Sequence, residues 1–138
     1  VCGMLAAMMT GSCLCGSVRY SVAAESFGTS LCHCEDCRKS SGAPIVAWTF
    51  FPVGTIRFDG EVRTVRFAGR ERTFCPACGS PLMFFDPAIP GQFEVTTCTL
   101  DRAAEIEPRD HNWTADRLPW FDTADDLPRF PHNTPPAP

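Results

Sequence analysis

The sequence predicts an all-β fold of small antiparallel sheets, clipped together by metal-binding cysteines and followed by an extended aromatic C-terminal arm. Three observations lead there. Apolar residues recur at period two in short runs bounded by glycine, cysteines come in pairs two or three residues apart, and seven of the 13 prolines lie from Pro108 onward. A chain of 138 residues has room for one domain with a real core.

Residues 1–10, VCGMLAAMMT, are apolar but lack the basic start of a secretory signal and run into Gly11 and Ser12. They read as a leader, flexible or vector-derived, ahead of a single zinc-binding domain over residues 11–131. Val18, Tyr20 and Val22 alternate, as do Ile56 and Phe58, and Val62, Val65 and Phe67 with one slip. Gly54, Gly60 and Gly69 bound these runs, so they are strands and hairpins. Residues 45–51, 82–85 and 93–100 are rich in β-branched and aromatic side chains and read as more buried strands. The one convincing helical turn is Glu35–Ser41, with acidic residues first, basic ones last and Gly42 closing it. From Pro108 the apolar spacing becomes irregular, through Trp113, Leu118, Trp120, Phe121, Leu127 and Phe130, which is the pattern of an arm packed by its aromatics onto a sheet. Residues 132–138 have almost nothing apolar to bury and read as a flexible tail.

Charge narrows the function classes. Twelve basic residues against 16 acidic ones give a formal charge of −4, with the acids scattered, so no phosphate-binding surface is implied and nucleic acid is excluded as a partner. No apolar run approaches the roughly 20 residues that cross a bilayer, which speaks against a membrane partner. Nothing in the chain sets an oligomeric state. Nine cysteines without an export signal predict a cytoplasmic protein whose clustered thiols bind metal or catalyse.

The first constellation joins Cys13 and Cys15 to Cys75 and Cys78, two pairs about 60 residues apart. Four thiolates suit tetrahedral zinc, with Zn–S about 2.3 Å and sulfurs roughly 3.8 Å apart. Such a site is structural. The second constellation is Cys32, Cys34 and Cys37. On extended chain Cys32 and Cys34 point the same way, and the turn from Glu35 brings Cys37 round to them. Three thiolates leave a tetrahedral position open, as a catalytic zinc requires. Zinc with three thiolates already carries −1, a weak Lewis acid better suited to activating an incoming thiol than to hydrolysis. Other readings stay open: a disulfide between two of these three, a closed site completed by a distant residue, or plain burial. His33, between two ligands and on the opposite face, reads as a packed histidine behind them.

The strings GSCLCGSVRY from Gly11, CHCEDCRKSSG from Cys32 and FCPACGSPL from Phe74 carry a resemblance. With Thr99-Leu100-Asp101, His111-Asn112-Trp113, Trp120 and Leu127-Pro128, they resemble the glutathione-dependent formaldehyde-activating enzyme family, which includes centromere protein V, over residues 11–130. The resemblance implies a β-tent fold, with Cys13, Cys15, Cys75 and Cys78 holding a structural zinc and Cys32, Cys34 and Cys37 a catalytic, labile one. It implies a carbon–sulfur lyase that adds glutathione, as co-substrate, to formaldehyde to give S-hydroxymethylglutathione. One departure is Cys98, where the family usually has glycine; it reads as a small core residue, a fourth ligand or a resolving thiol.

On this reading a small thiol and a small aldehyde are the partners. Arg38, Arg70 and Arg72 are candidates to clamp the two glutathione carboxylates, and Trp48 to wall the pocket. Ser40, Ser41 or the amides of the 35–41 turn are the nearest donors for a nascent alkoxide, and Lys39 reads as a solvated loop residue. Two alternatives are a non-catalytic thiol- or metal-binding module and a methionine-sulfoxide-reductase-like enzyme using Cys98.

Overall fold

The computed structural model describes residues 8–136, so Cys2 and the first seven residues of the expected leader lie outside the described residues. In chain order the strands begin with β1 (Met8–Ser12), β2 (Arg19–Ala23) and β3 (Gly28–Cys32). The helix α1 (Glu35–Ser41) follows, then β4 (Val46–Pro52), β5 (Ile56–Asp59), β6 (Arg63–Phe67) and β7 (Arg70–Phe74). β8 (Pro81–Phe85), β9 (Gln92–Thr96) and the short β10 (Asp110–Asn112) complete the set. The protein is thus mostly β, with two sheets. One has three strands in the order β1-β2-β5; the other has seven, in the order β10-β3-β4-β9-β8-β7-β6, antiparallel except where β10 runs parallel to β3. Among the described residues, no helix is long and apolar enough to cross a membrane.

Period-two alternation places the core. Val18, Tyr20 and Val22 are buried from the small sheet and meet Phe51, Leu82, Phe93 and Val95 from the large one. β4 lies inside the large sheet and is buried on both faces: Thr49 and Phe51 turn toward the small sheet, while Trp48 and Phe50 turn away from it. A second apolar cluster therefore forms on the far face, where Trp48 and Phe50 pack with Cys32, Cys37, Phe84 and Trp113.

The helix has the bounds its charge pattern predicts. At seven residues it is too short to persist alone, and its end contacts supply what length does not. Cys34 caps it through a hydrogen bond from the Cys37 N–H, and Gly42, at φ 75°, donates its N–H to Arg38 O.

Some strand expectations change. The run through Val65 and Phe67 forms β6 as predicted, yet all five of its residues are exposed, Phe67 at 77%, because β6 is the outermost strand and pairs only with β7. The expected strand over 93–100 ends at Thr96, and a 3-10 turn, Thr97–Thr99, carries Cys98. Met8, Met9 and Thr10 of the expected leader belong to β1 and pair with β2. The C-terminal segment runs beside β10, with Trp113 N–H on His132 O and Phe130 N–H on His111 O. Trp113 packs on the second cluster, whereas Trp120 is 74% exposed.

Candidate metal centres and the cavity beside them

The four-cysteine group sits where the sheets meet. Cys13 and Cys15 lie in the turn between β1 and β2, Cys75 and Cys78 in the knuckle between β7 and β8, and their four sulfurs lie within 4.8 Å of one another. The Cys13–Cys15 and Cys15–Cys75 separations are 3.6 and 3.9 Å, close to the spacing of thiolates around one tetrahedral zinc. Amide donors face the sulfurs: Val18 N–H on Cys13 at 3.3 Å and Cys78 N–H on Cys75 at 3.4 Å. The Ser80 hydroxyl, 3.1 Å from the Cys78 sulfur, is the largest cause bringing that thiol down to about 5. An all-sulfur donor set with N–H groups aimed at it fits zinc.

The three-cysteine group is assembled by one local turn. Cys32 ends β3, Cys34 caps α1 and Cys37 lies in its first turn, again with the sulfurs within 4.8 Å. Cys37 N–H donates to the Cys34 sulfur and Trp48 Nε1–H to the Cys37 sulfur, both at 3.3 Å. Hydrogen bonds from Cys32 and then Cys37 hold the Cys34 thiol far below its ordinary value, while Cys32 is raised by Cys34 and Cys37. Negative charge therefore gathers on Cys34, the charge a metal cation neutralises. This donor set also fits zinc with one position left for another ligand. All eight cysteines among the described residues are free thiols.

Behind the turn, His33 is fully buried just past the end of β3 and is absent from the cavity lining that Cys32, Cys34 and Cys37 share. Burial, then the neighbouring His111, lowers its pKa. Its Nε2 lies 2.8 Å from Nδ1 of the equally buried His111, whose Nε2 is 3.1 Å from both carboxylate oxygens of Asp125. The Thr123 hydroxyl and other hydrogen bonds, His111's among them, hold Asp125 well below the usual carboxylate range.

In front of the cysteines opens a cavity of about 850 Å³, lined by Cys32, Cys34 and Cys37 among others. Four of its lining residues, Phe50, Glu94, Phe84 and Arg72, form one row across the large sheet as successive register partners on β4, β9, β8 and β7, and Gly28 on β3 continues the row beside Phe50. The Arg72 guanidinium lies over the Phe84 ring at 4.6 Å and donates to Ser40 Oγ. Arg109 lies over Phe50 at 5.6 Å from the other side. Gly28 makes room for it: φ is 120°, and a Cβ there would meet Arg109 Nη1 at 2.8 Å. Burial pushes the Glu94 carboxyl up to about 8, against the pull of Arg72.

The structure brings some candidates together and leaves others apart. Trp48, Arg70 and Arg72 line the cavity. Arg70 is already engaged, with Asp36 at 3.6 Å and Asp86 at 3.3 Å. Arg38 is not among the lining residues, and its Nε is buried without a partner. Ser40 and Ser41 direct their hydroxyls to Cys37 O, and Lys39 is exposed beside Glu35. Cys98 is exposed and belongs to neither cysteine group. Sequence reasoning missed Glu94, Arg109, Asn112 and the His111–Asp125 contact. Glu94 left a faint signal, a charge on the opposite parity from Phe93 and Val95 in an otherwise apolar strand; Asp125 left none.

Residues 8–116 match the family model described as glutathione-dependent formaldehyde-activating enzyme. The chain belongs to this family. Among curated relatives, the glutathione-dependent formaldehyde-activating enzyme family likeness extends to a Halomonas elongata protein named "Putative glutathione-dependent formaldehyde-activating enzyme". That protein is 30% identical over 101 residues, covering 60% of this chain and 59% of its own length. An uncharacterized lyase of Schizosaccharomyces pombe is 32% identical over 77 residues, covering 54% of this chain and 55% of its own length. The chain thus spans a little over half the length of these two relatives. A crystal structure of a Rhodobacter sphaeroides protein shares the fold, with a TM-score of 0.57 at 23% identity over 73% of this chain and 93% of that one.

Proposed function

We propose that this chain is a zinc-dependent carbon–sulfur lyase that joins a small thiol, glutathione, to a small aldehyde, formaldehyde, in the cavity beside Cys32, Cys34 and Cys37. The observation that carries this reading is that three sulfurs converge within 4.8 Å on the wall of a cavity of about 850 Å³, large enough for a tripeptide thiol. The family membership and the lyase name of a relative support it. A zinc ion at these thiolates supplies a coordination position at which a thiol binds and loses its proton more easily.

The chain's own residues do the rest. Arg72 has a serine hydroxyl and an aromatic face as partners, which leaves its charge available to a thiol's carboxylate, whereas Arg70 is held by two aspartates. Arg109, at the other end of the row, is engaged by Asp110 at 3.4 Å and donates to Phe27 O at 2.6 Å, so Arg72 is the better placed of the two for a carboxylate. Trp48, Phe50 and Phe84 make the wall apolar and limit the water that competes for the aldehyde. Glu94, which keeps its proton up to about 8, donates it to the adduct's oxygen and regains one from solvent, which receives the thiol's proton. The exposed position of Cys98, away from the cavity lining, gives a reductase reading no support. The three-cysteine turn packs on the large sheet, which also carries Cys75 and Cys78, and this supports reading residues 11–131 as one zinc domain with a structural and a catalytic site.

The test is Cys34→Ala. Metal content should fall from about two zinc ions per chain to about one, and glutathione–formaldehyde adduct formation, followed by exchange NMR, should fall to the spontaneous rate. A variant that keeps the full rate removes this reading.

A further inference from the structure

We infer that the segment beyond residue 116 holds the Cys32–Cys34–Cys37 turn in its metal-binding shape, through a buried chain of hydrogen bonds running Asp125–His111–His33. His111, His33 and Asp125 are positioning residues here, and the inference rests on the metal reading of the three-cysteine group.

The chain has a defined direction. An ionised carboxylate only accepts, so His111 donates from Nε2, where both Asp125 oxygens lie at 3.1 Å. A ring with one proton then accepts at Nδ1, and His33 donates to it from Nε2 at 2.8 Å. Every contact is anchored. Leu127 N–H and the Arg129 guanidinium bind Asp125 Oδ1 at 3.0 and 3.4 Å, and Arg129 also reaches Thr123 O and Asp122. At the other end, His33 N–H binds Asn112 O at 3.1 Å, and Glu35 N–H, the first of α1, binds Asp116 Oδ2 at 3.2 Å.

The consequence follows from where His33 stands. Between the end of β3 and the start of α1 only His33 and Cys34 lie outside regular structure, and these two residues set the angle between the Cys32 and Cys34 side chains. Fixing the His33 ring from behind fixes that angle before metal arrives, and groups behind metal ligands commonly matter in this way. Among the described residues the four-cysteine group shows no such dependence: its hydrogen-bond partners are Ser17, Val18, Ser80 and the Cys78 N–H, all within the matched 8–116 span. Asp125, Thr123 and Arg129 lie outside that span. One molecule therefore holds a dependent site and an internal control.

The experiment loads the full chain with cobalt(II) in place of zinc and titrates it with a competing chelator, using Cys34→Ala to assign the signal of the three-cysteine site. Asp125→Ala is expected to weaken that site by about 10- to 100-fold and to shift its thiolate-to-cobalt absorption, while the four-cysteine site keeps its affinity and spectrum. Asp125→Asn, which retains an acceptor oxygen, should recover most of the loss. Asp125 is partly exposed, so both variants should keep the core; an unchanged thermal midpoint checks this. Unchanged affinity at the three-cysteine site, or an equal loss at both sites, overturns the inference. A wild-type chain that takes up only one cobalt overturns the metal reading and the inference with it.

Discussion

Glu94 owes its chemistry to its neighbours rather than to its own residue type. In the row across the large sheet it stands between Phe50 and Phe84, and burial there raises its pKa to about 8, while Arg72 opposes the shift. Between the ordinary glutamate value of 4.5 and about 8, the folded protein keeps a proton that the unfolded chain has released. The unfolded state binds fewer protons, so this group's contribution to stability falls as pH rises through that window and levels off above it. Glu94→Gln removes the dependence. Its stability relative to wild type should rise from nothing below pH 4.5 to about 3 kcal/mol by pH 9, a figure lowered to allow for the carboxyl's contact with cavity water. Urea denaturation at pH 4.5, 7 and 9 checks it, and a difference that does not vary with pH contradicts it.

At the scale of elements, α1 carries one metal-ligand candidate inside it and another at its cap, so its ends matter more than its seven residues would suggest. Gly42 adopts φ 75° with open space around a would-be Cβ, so the cost of a side chain there is backbone strain alone. Gly42→Ala is expected to lower stability by about 1 kcal/mol and to raise the reactivity of Cys37 toward a disulfide reagent, because the last turn frays. Thermal unfolding and thiol titration read the two effects. Strands show how much register matters. Phe51 and Phe67 both stand in short runs bounded by glycine or proline, yet Phe51 is fully buried and Phe67 is exposed, since β4 is flanked by β3 and β9 and β6 has a neighbour on one side.

For the molecule as a whole, the four-cysteine group ties the turn after β1, in the small sheet, to the knuckle after β7, in the large one. The core between the sheets runs alongside it, with Cys13 and Cys75 both buried in that core. A metal held there would be coupled to folding, whereas one held by Cys32, Cys34 and Cys37 would sit on the far face, at a turn that packs on one sheet. Cys75→Ala is accordingly expected to lower the thermal midpoint by about 10 °C or more, and Cys34→Ala by only a few degrees. Scanning calorimetry of the two variants decides it, and equal shifts would show that the clip does not hold the sheets together.

The sequence by itself determined what is local. Ligands two or three residues apart meet whatever the rest of the chain does, so the three-cysteine group and each pair of the four-cysteine group were legible, as were the ends of α1 from its charges and Gly42 and the alternation of Val18, Tyr20 and Val22; the meeting of the two distant pairs rests on the sheets. Tertiary structure alone decided what depends on pairing between distant strands. It put Glu94 beside Phe50 and Phe84, Arg109 over Phe50, and Asp125 behind His33, and it left Phe67 and Cys98 at the surface. The physical reason is that strand register and sheet order are set by the summed burial of many residues, so no single segment encodes which side chains will face one cavity.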